Sequence, residues 1–183
     1  MSMESDVASP LLGRQAPDFT LPRTRYQVFS TRDVQGAPVV LVFYPGDWDP
    51  VSGQQLHLYQ EYLPELRRFD ASLVAISVDS IWSHAAFART LGLSFPLVSD
   101  FQPKGQVARA YHVYRELEGR SGRALFVVDA GGVIRWSRTF PANLNPGIQG
   151  ILSALQTLDE RRTLLEETTS GPMSLTERID GGY

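Results

Sequence analysis

The sequence predicts an α/β fold in which helices cover both faces of a mixed β-sheet. Residues 39–44 and 72–79 are apolar or β-branched at nearly every position, which is typical of strands buried on both faces. A helical segment follows each strand, and the first carries apolar residues three and four positions apart. A further strand, a hairpin turn at residues 129–132 and a last helix at residues 146–167 complete the pattern. This order predicts parallel and antiparallel strands in one sheet.

Local signals predict the bounds of the elements. Asp49 is a good N-cap and Pro50 suits the first position of the helix that follows strand 39–44. Pro64 should kink that helix or split it in two. Gly92 is the expected C-cap of a second helix at residues 81–91. The shorter predicted elements are strands at residues 16–21, 26–29, 95–98, 124–128 and 133–137, and a helix at residues 104–111.

Length and composition favour one soluble domain, because 183 residues are enough to bury a core. We assign residues 13–167 to this domain, residues 1–12 to an N-terminal arm and residues 168–183 to a C-terminal tail. A net charge of −3 predicts no contact with nucleic acid or anionic membrane. No membrane helix or secretory signal is visible, so we expect a cytoplasmic location.

The chain contains no cysteine. This absence excludes disulfides, thiolate metal sites and catalysis by a thiol of this chain. The histidines are isolated in sequence and have no metal-ligand spacing, so we predict neither a metal nor a cofactor. They are expected at the surface or at an interface: His57, His84 and His112.

The segment between strand 39–44 and its helix carries a recognisable motif. Pro45, Asp49 and Ser52 have the spacing of the peroxiredoxin pattern Pro-x-x-x-Thr/Ser-x-x-Cys. Three later segments, SVDSIWSHAAFA, FPLVSD and RALFVVDAGGVIRW, also resemble segments of this family in the same order. The chain therefore resembles the AhpC/TSA-type peroxiredoxins from about residue 15 to residue 158. This resemblance implies a thioredoxin-like, peroxiredoxin-type sandwich.

The resemblance also implies roles for individual residues. Ser52 occupies the position of the peroxidatic cysteine, and Asp49 that of the Thr/Ser that binds the peroxide. Arg123 would be the arginine that stabilises the thiolate, and Pro45 would shield the site. Ser83 stands where some relatives have a resolving cysteine. The expected pocket residues are Tyr44, Trp48 and Trp82. For the two tryptophans, a place on a dimer face and packing in the core stay open as alternatives.

The family consists of antioxidant oxidoreductases that reduce hydroperoxides with a thiol reductant, without a cofactor, and that commonly form homodimers. This chain departs from it at two positions. Ser52 is hardly ionised at neutral pH and cannot form a sulfenic acid. Asp49 would oppose ionisation of a thiol about 4 Å away by roughly 1–4 kcal/mol. We therefore expect the chain to be inactive as a peroxidase, although a homodimer remains the expected assembly.

Several alternatives stay open from the sequence. The protein is a redox-silent peroxiredoxin, or a non-catalytic binding or regulatory protein on the same scaffold. A hydrolase that uses Ser52 ranks far behind, because His57 lies at the wrong angle on the helix to act as its base. Serine residues at positions 52 and 83 are what engineered replacement of two cysteines would leave. Asp49 instead favours a natural change of sequence. We also expect Asp49 to pair with Arg123 across the former pocket.

Overall fold

The computed structural model describes residues 9–169 of the chain. Its strands are β1 (Thr20–Pro22), β2 (Val28–Ser30), β3 (Val39–Phe43), β4 (Ser72–Ser77), β5 (Leu97–Ser99), β6 (Tyr114–Arg115), β7 (Arg120–Ser121), β8 (Arg123–Val128) and β9 (Ile134–Phe140). Its helices are α1 (Pro50–Glu61), α2 (Leu63–Arg67), α3 (Ile81–Leu91), α4 (Gln106–Ala110) and α5 (Gln149–Thr169), with a 3-10 turn at Thr31–Val34.

The central sheet has five strands in the order β5-β4-β3-β8-β9. β3, β4 and β5 run parallel, whereas β8 and β9 are antiparallel to their neighbours. β3 is buried at every position, as its uninterrupted apolar sequence predicts. The remaining strands form two separate two-stranded hairpins, β1-β2 and β6-β7. The predicted mixed sheet is confirmed.

Each face of the sheet packs against its own apolar layer. Leu56 of α1, Phe87 of α3 and Ile151 of α5 belong to the core on one face. Val107 of α4 and Phe19, next to β1, belong to the core on the other face. The α/β sandwich with helices on both faces is therefore confirmed.

The local stop signals act where the sequence predicts them. α1 ends at Glu61 and α2 begins at Leu63, with Pro64 in its first turn. Gly92 adopts φ +64° and its N–H donates to the carbonyls that end α3. The last helix begins later than predicted, at Gln149, because Gly147 adopts φ +68° just before it. The β6-β7 hairpin was not predicted from the sequence, because its strands have only two residues each.

The ends of the described chain refine the predicted arm and tail. The predicted arm packs at its inner end, where the Ser9 N–H donates to Ser137 Oγ at 3.2 Å and Leu11 contacts the core. Thr168 and Thr169 belong to α5. Residues 1–8 of the predicted arm and residues 170–183 of the predicted tail lie outside the described residues. Between residues 9 and 169, no helix is long and apolar enough to cross a bilayer.

Candidate active site at the start of helix α1

The site lies where β3 passes into α1 through a short loop. Phe43 pairs with Ala124 in the antiparallel β3-β8 register, so Arg123 lies just beyond the end of β3. Asp49 caps α1, and its Oδ2 accepts the Ser52 N–H at 2.8 Å. The topology thus places the start of α1 and the start of β8 at the same edge of the sheet.

Asp49, Ser52 and Arg123 converge on one hydrogen-bonded cluster. Arg123 Nη2 donates to Asp49 Oδ2 at 2.9 Å, and its Nη1 donates to Ser52 Oγ at 3.2 Å. The Ser52 hydroxyl donates to Asp49 Oδ2 at 2.6 Å, so this oxygen accepts three hydrogen bonds. The predicted meeting of these residues and the predicted Asp49–Arg123 ion pair are both confirmed.

The Arg123 side chain is fully buried, and all five of its N–H groups have acceptors. Its Nε and Nη2 donate to the Ala142 carbonyl at 3.2 and 2.8 Å, and its Nη1 also donates to Gln55 Oε1. Gln55 Nε2 donates to the Tyr59 hydroxyl at 3.1 Å, which donates to the Gly147 carbonyl at 3.0 Å. Loop 141–147 is therefore tied to the site through both Arg123 and Tyr59.

Sequence reasoning missed Gln55 as a member of the site. A usable signal was present, because Gln55 lies three residues after Ser52 and therefore on the same face of α1. A polar residue on the buried face of a helix needs a partner, and Arg123 supplies it.

The electrostatics of the cluster favour an ion pair between the Asp49 carboxylate and the Arg123 guanidinium, which together carry no net charge. Partial burial alone would raise the pKa of Asp49, but the hydrogen bonds from Ser52 and Arg123 outweigh burial and lower the pKa below its usual value. Burial lowers the pKa of Arg123, and the Asp49 carboxylate opposes that shift. The guanidinium has no donor left over for an added anion without exchanging one of its present acceptors.

In the part of the chain that the structure describes, Ser52 has no base suited to making it a nucleophile. Its Oγ contacts the Asp49 carboxylate and the Arg123 guanidinium, and neither is an effective general base here. His57, which the sequence places on the wrong side of α1, pairs with Glu61 at the surface. Within the described residues, no histidine is a hydrogen-bond partner of Ser52. The geometry does not support the hydrolase alternative.

The other predicted site residues lie around this cluster without joining it. Pro45 is buried at the end of β3. The buried Tyr44 directs its hydroxyl to Asp47 Oδ1 at 2.8 Å. The Trp48 side chain is 55% exposed, and its indole N–H donates to Ser83 Oγ at 3.2 Å. Trp82, in the first turn of α3, is 68% exposed. Their roles in a pocket or dimer face stay predictions.

The expectation that all three histidines lie at the surface is wrong for His84. Its side chain is only 2% exposed and lies between the Asp47 carboxylate and the Val98 carbonyl. The physical reason is its position on α3, where it shares the buried face with Phe87. His57 and His112 are exposed, as predicted.

The comparisons with known proteins agree with this architecture. The family model described as "AhpC/TSA family" matches residues 12–137. Alkyl hydroperoxide reductase E of Mycobacterium tuberculosis is 39% identical over 127 residues, which cover 69% of this chain and 83% of that protein. A peroxiredoxin of Thermoplasma volcanium is 28% identical over 81% of this chain and 74% of its own length.

Solved structures give the same fold. Enterococcus faecalis AhpC superposes with a TM-score of 0.74 at 25% identity, over 86% of this chain and 96% of the other. The reduced 2-Cys peroxiredoxin of Plasmodium vivax superposes with a TM-score of 0.77 at 20% identity, over 84% of both chains. The sequence match and the thioredoxin-like architecture together show that this chain belongs to the AhpC/TSA family, the peroxiredoxins.

Proposed function

We propose that this protein is a redox-silent peroxiredoxin, which keeps the polar site of a hydroperoxide-reducing enzyme but does not itself reduce hydroperoxides. The observation that carries the proposal is the cluster in which the Asp49 carboxylate accepts hydrogen bonds from both Ser52 and Arg123. A thiol peroxidase needs an ionised sulfur that attacks one peroxide oxygen and breaks the O–O bond; the sulfur is oxidised to a sulfenic acid, and an alcohol or water leaves. Ser52 provides neither the anion nor the redox chemistry.

Asp49 supplies the negative charge that a thiolate would otherwise place beside Arg123. A buried guanidinium without a counterion is costly, because the ion loses its hydration. The carboxylate at 2.9 Å compensates that loss, and the N–H groups at the start of α1 favour an anion there as well. The negative charge beside Arg123 is therefore on the residue at position 49, whereas an active peroxiredoxin would have it on a thiolate at position 52.

Ser52 and Asp49 also fit each other, which favours a natural origin for both. The hydroxyl donates a 2.6 Å hydrogen bond to the carboxylate, and a thiol is a weaker donor at this position. A thiolate would face the carboxylate directly and would be repelled by it. We infer that a cysteine at position 52 beside an unchanged Asp49 would be a poor peroxidase, so the two substitutions belong together.

The proposal is tested by measuring consumption of hydrogen peroxide and an alkyl hydroperoxide with dithiothreitol as the thiol reductant. Four proteins are compared: the natural chain, Ser52→Cys, Ser52→Cys with Asp49→Thr, and Asp49→Thr alone as the matched control. We expect turnover in the double variant, much slower turnover in Ser52→Cys, and none in the two chains that keep Ser52.

Two results would contradict the proposal. Turnover by the natural chain at the rate of the double variant would show that the serine protein is itself a peroxidase. A folded double variant without turnover would show that the polar site no longer supports peroxide chemistry, and would favour the binding or regulatory alternative. Folding is checked separately by circular dichroism and urea denaturation.

We further infer that the chain forms a homodimer. Three aromatic side chains in the loop, in α3 and after β5 are exposed by 53–68%: Trp48, Trp82 and Phe101. Aromatic side chains are enriched at protein–protein interfaces relative to the rest of the protein surface. Sedimentation velocity at micromolar concentration tests this inference, and a monomer would contradict it. The cytoplasmic location stays a prediction from the sequence.

A further inference from the structure

Helix α3 holds the site loop by three contacts. The Trp48 indole N–H donates to Ser83 Oγ at 3.2 Å, and the Trp48 ring packs edge-on against Phe87 at 5.2 Å between ring centroids. His84, from the same helix, contacts both carboxylate oxygens of Asp47 at 3.0 and 3.1 Å. The loop that ends in the helix cap is thus attached to α3 as well as to β3.

Both ring nitrogens of His84 face oxygen atoms that can accept a hydrogen bond. Nε2 lies 3.2 Å from the Val98 carbonyl oxygen, which can only accept, so Nε2 carries hydrogen. Nδ1 lies 3.0 and 3.1 Å from the two carboxylate oxygens of Asp47, so a hydrogen lies between the ring and the carboxylate. The Tyr44 hydroxyl donates to Asp47 Oδ1 at 2.8 Å and lies 3.3 Å from the same ring nitrogen. His84 and Asp47 therefore form a buried hydrogen-bonded pair whose side chains are 2% and 0% exposed.

The backbone of the loop is held in an unfavourable conformation. Trp48 adopts φ +65°, in the left-handed region that bulky residues rarely occupy. Such a conformation persists only when its surroundings impose it. The neighbours of Trp48 do so, because Asp47 is bound by His84 on one side and Asp49 is bound by Arg123 on the other.

The Asp47 backbone is fixed in addition to its side chain. Its N–H donates to Asp79 Oδ2 at 2.8 Å, and the same oxygen accepts the Ser77 hydroxyl at 2.7 Å. The end of β4 therefore orients the peptide of Asp47, while α3 orients its carboxylate.

We propose that His84 is a positioning residue for the site. Its hydrogen bonding with Asp47 holds residues 47–49 in the strained turn, and this turn directs the Asp49 carboxylate toward Ser52 and Arg123. The inference concerns the site for which the redox-silent function is proposed, but its test uses no peroxide. Failure of either proposal can therefore be recognised separately.

The first test is amide hydrogen exchange of the natural chain, His84→Gln and the matched control His57→Gln. Glutamine removes the imidazole ring, and His57 is an exposed histidine of α1. In His84→Gln we expect exchange of the Asp47 and Ser52 amides to accelerate at least tenfold while the Tyr59 amide, later in α1, keeps its rate. In His57→Gln we expect no change at any of the three.

An unchanged Ser52 amide in His84→Gln would overturn the proposal. An equal acceleration at all three amides would do so too, because it would indicate global destabilisation. A second measurement does not depend on any variant: nitrogen NMR of the natural chain at neutral pH. We expect a slowly exchanging ring proton on His84, with exposed His57 as the fast-exchanging internal reference. A His84 ring whose protons exchange as fast as those of His57 would overturn the assigned buried pair.

Discussion

Removing the Asp49 carboxylate should destabilise the fold more than the loss of an ordinary helix cap. Asp49→Ala removes the acceptor for the Ser52 amide, which costs about 1 kcal/mol at a typical N-cap. It also leaves a fully buried guanidinium without its counterion, and breaking a buried pair costs about 3–5 kcal/mol. The Asp49 side chain is 29% exposed, so solvent screening reduces the second contribution. We expect a total of about 2–4 kcal/mol.

The assay is urea denaturation of Asp49→Ala beside two comparison variants. Asp49→Asn keeps a good N-cap and removes only the charge, so it should cost about 1–2 kcal/mol. Ser80→Ala removes the N-cap of α3. The Ser80 hydroxyl accepts the Ser83 N–H at 3.3 Å and has no part in the Asp49–Arg123 ion pair. This variant should cost about 1 kcal/mol. With a slope of about 2 kcal/mol per molar urea, Asp49→Ala should lower the midpoint by about 1–2 M.

The comparison with Ser80→Ala decides the interpretation. If Asp49→Ala and Ser80→Ala lower the urea midpoint equally at an unchanged slope, the ion pair contributes nothing and the charge argument fails. If Asp49→Asn is as stable as the natural chain, Asp49 acts only as a cap.

Further predictions use the same denaturation assay. The folded-state pKa of Asp49 is lowered, so its stabilising contribution is present above the unfolded pKa of about 3.9 and disappears as pH falls through the folded pKa. The free energies of unfolding of the natural chain and Asp49→Asn should therefore differ most at neutral pH. A constant difference between them down to pH 2 would contradict this. Gly53→Ala should stabilise α1 by about 0.5–1 kcal/mol, because its Cβ meets no atom within 4 Å. Gly150→Ala should instead destabilise α5 by about 1–3 kcal/mol, because its Cβ would lie 2.7 Å from Trp136; equal effects of the two alanines would be inconsistent with that packing. Gln55→Leu should cost about 1–3 kcal/mol, because it leaves one Arg123 N–H without an acceptor and the Tyr59 hydroxyl oxygen without a donor. A neutral effect would show that water replaces the amide.

Features encoded by neighbouring residues were predictable from the sequence. The cap at Asp49, the helix break near Pro64 and the left-handed Gly92 each follow from local backbone chemistry. The meeting of Asp49 with Arg123 followed instead from the family resemblance, because residues 74 positions apart give no local signal.

The contacts that the sequence did not reveal are long-range. His84 and Asp47 are 37 positions apart, and an isolated histidine gives no indication of a buried partner. Gln55 binds Arg123 across 68 positions, and its amide resembles many surface residues in sequence. These pairs exist because the fold brings the start of α1, α3 and β8 to one edge of the sheet, which only the assembled topology specifies.

The most direct test of whether the Asp49 carboxylate takes the place of a thiolate beside Arg123 is the pKa of a cysteine introduced at position 52. It is measured from thiolate absorbance against pH in Ser52→Cys with Asp49 present and in the same variant with Asp49→Thr. A carboxylate about 4 Å away opposes ionisation by roughly 1–4 kcal/mol, which corresponds to about 1–3 pKa units. We expect a thiol pKa below about 8.5 with threonine at position 49, and a value higher by at least about 1 unit with aspartate. The same thiol pKa in both variants would contradict the claim that Asp49 has taken over the anionic role beside Arg123.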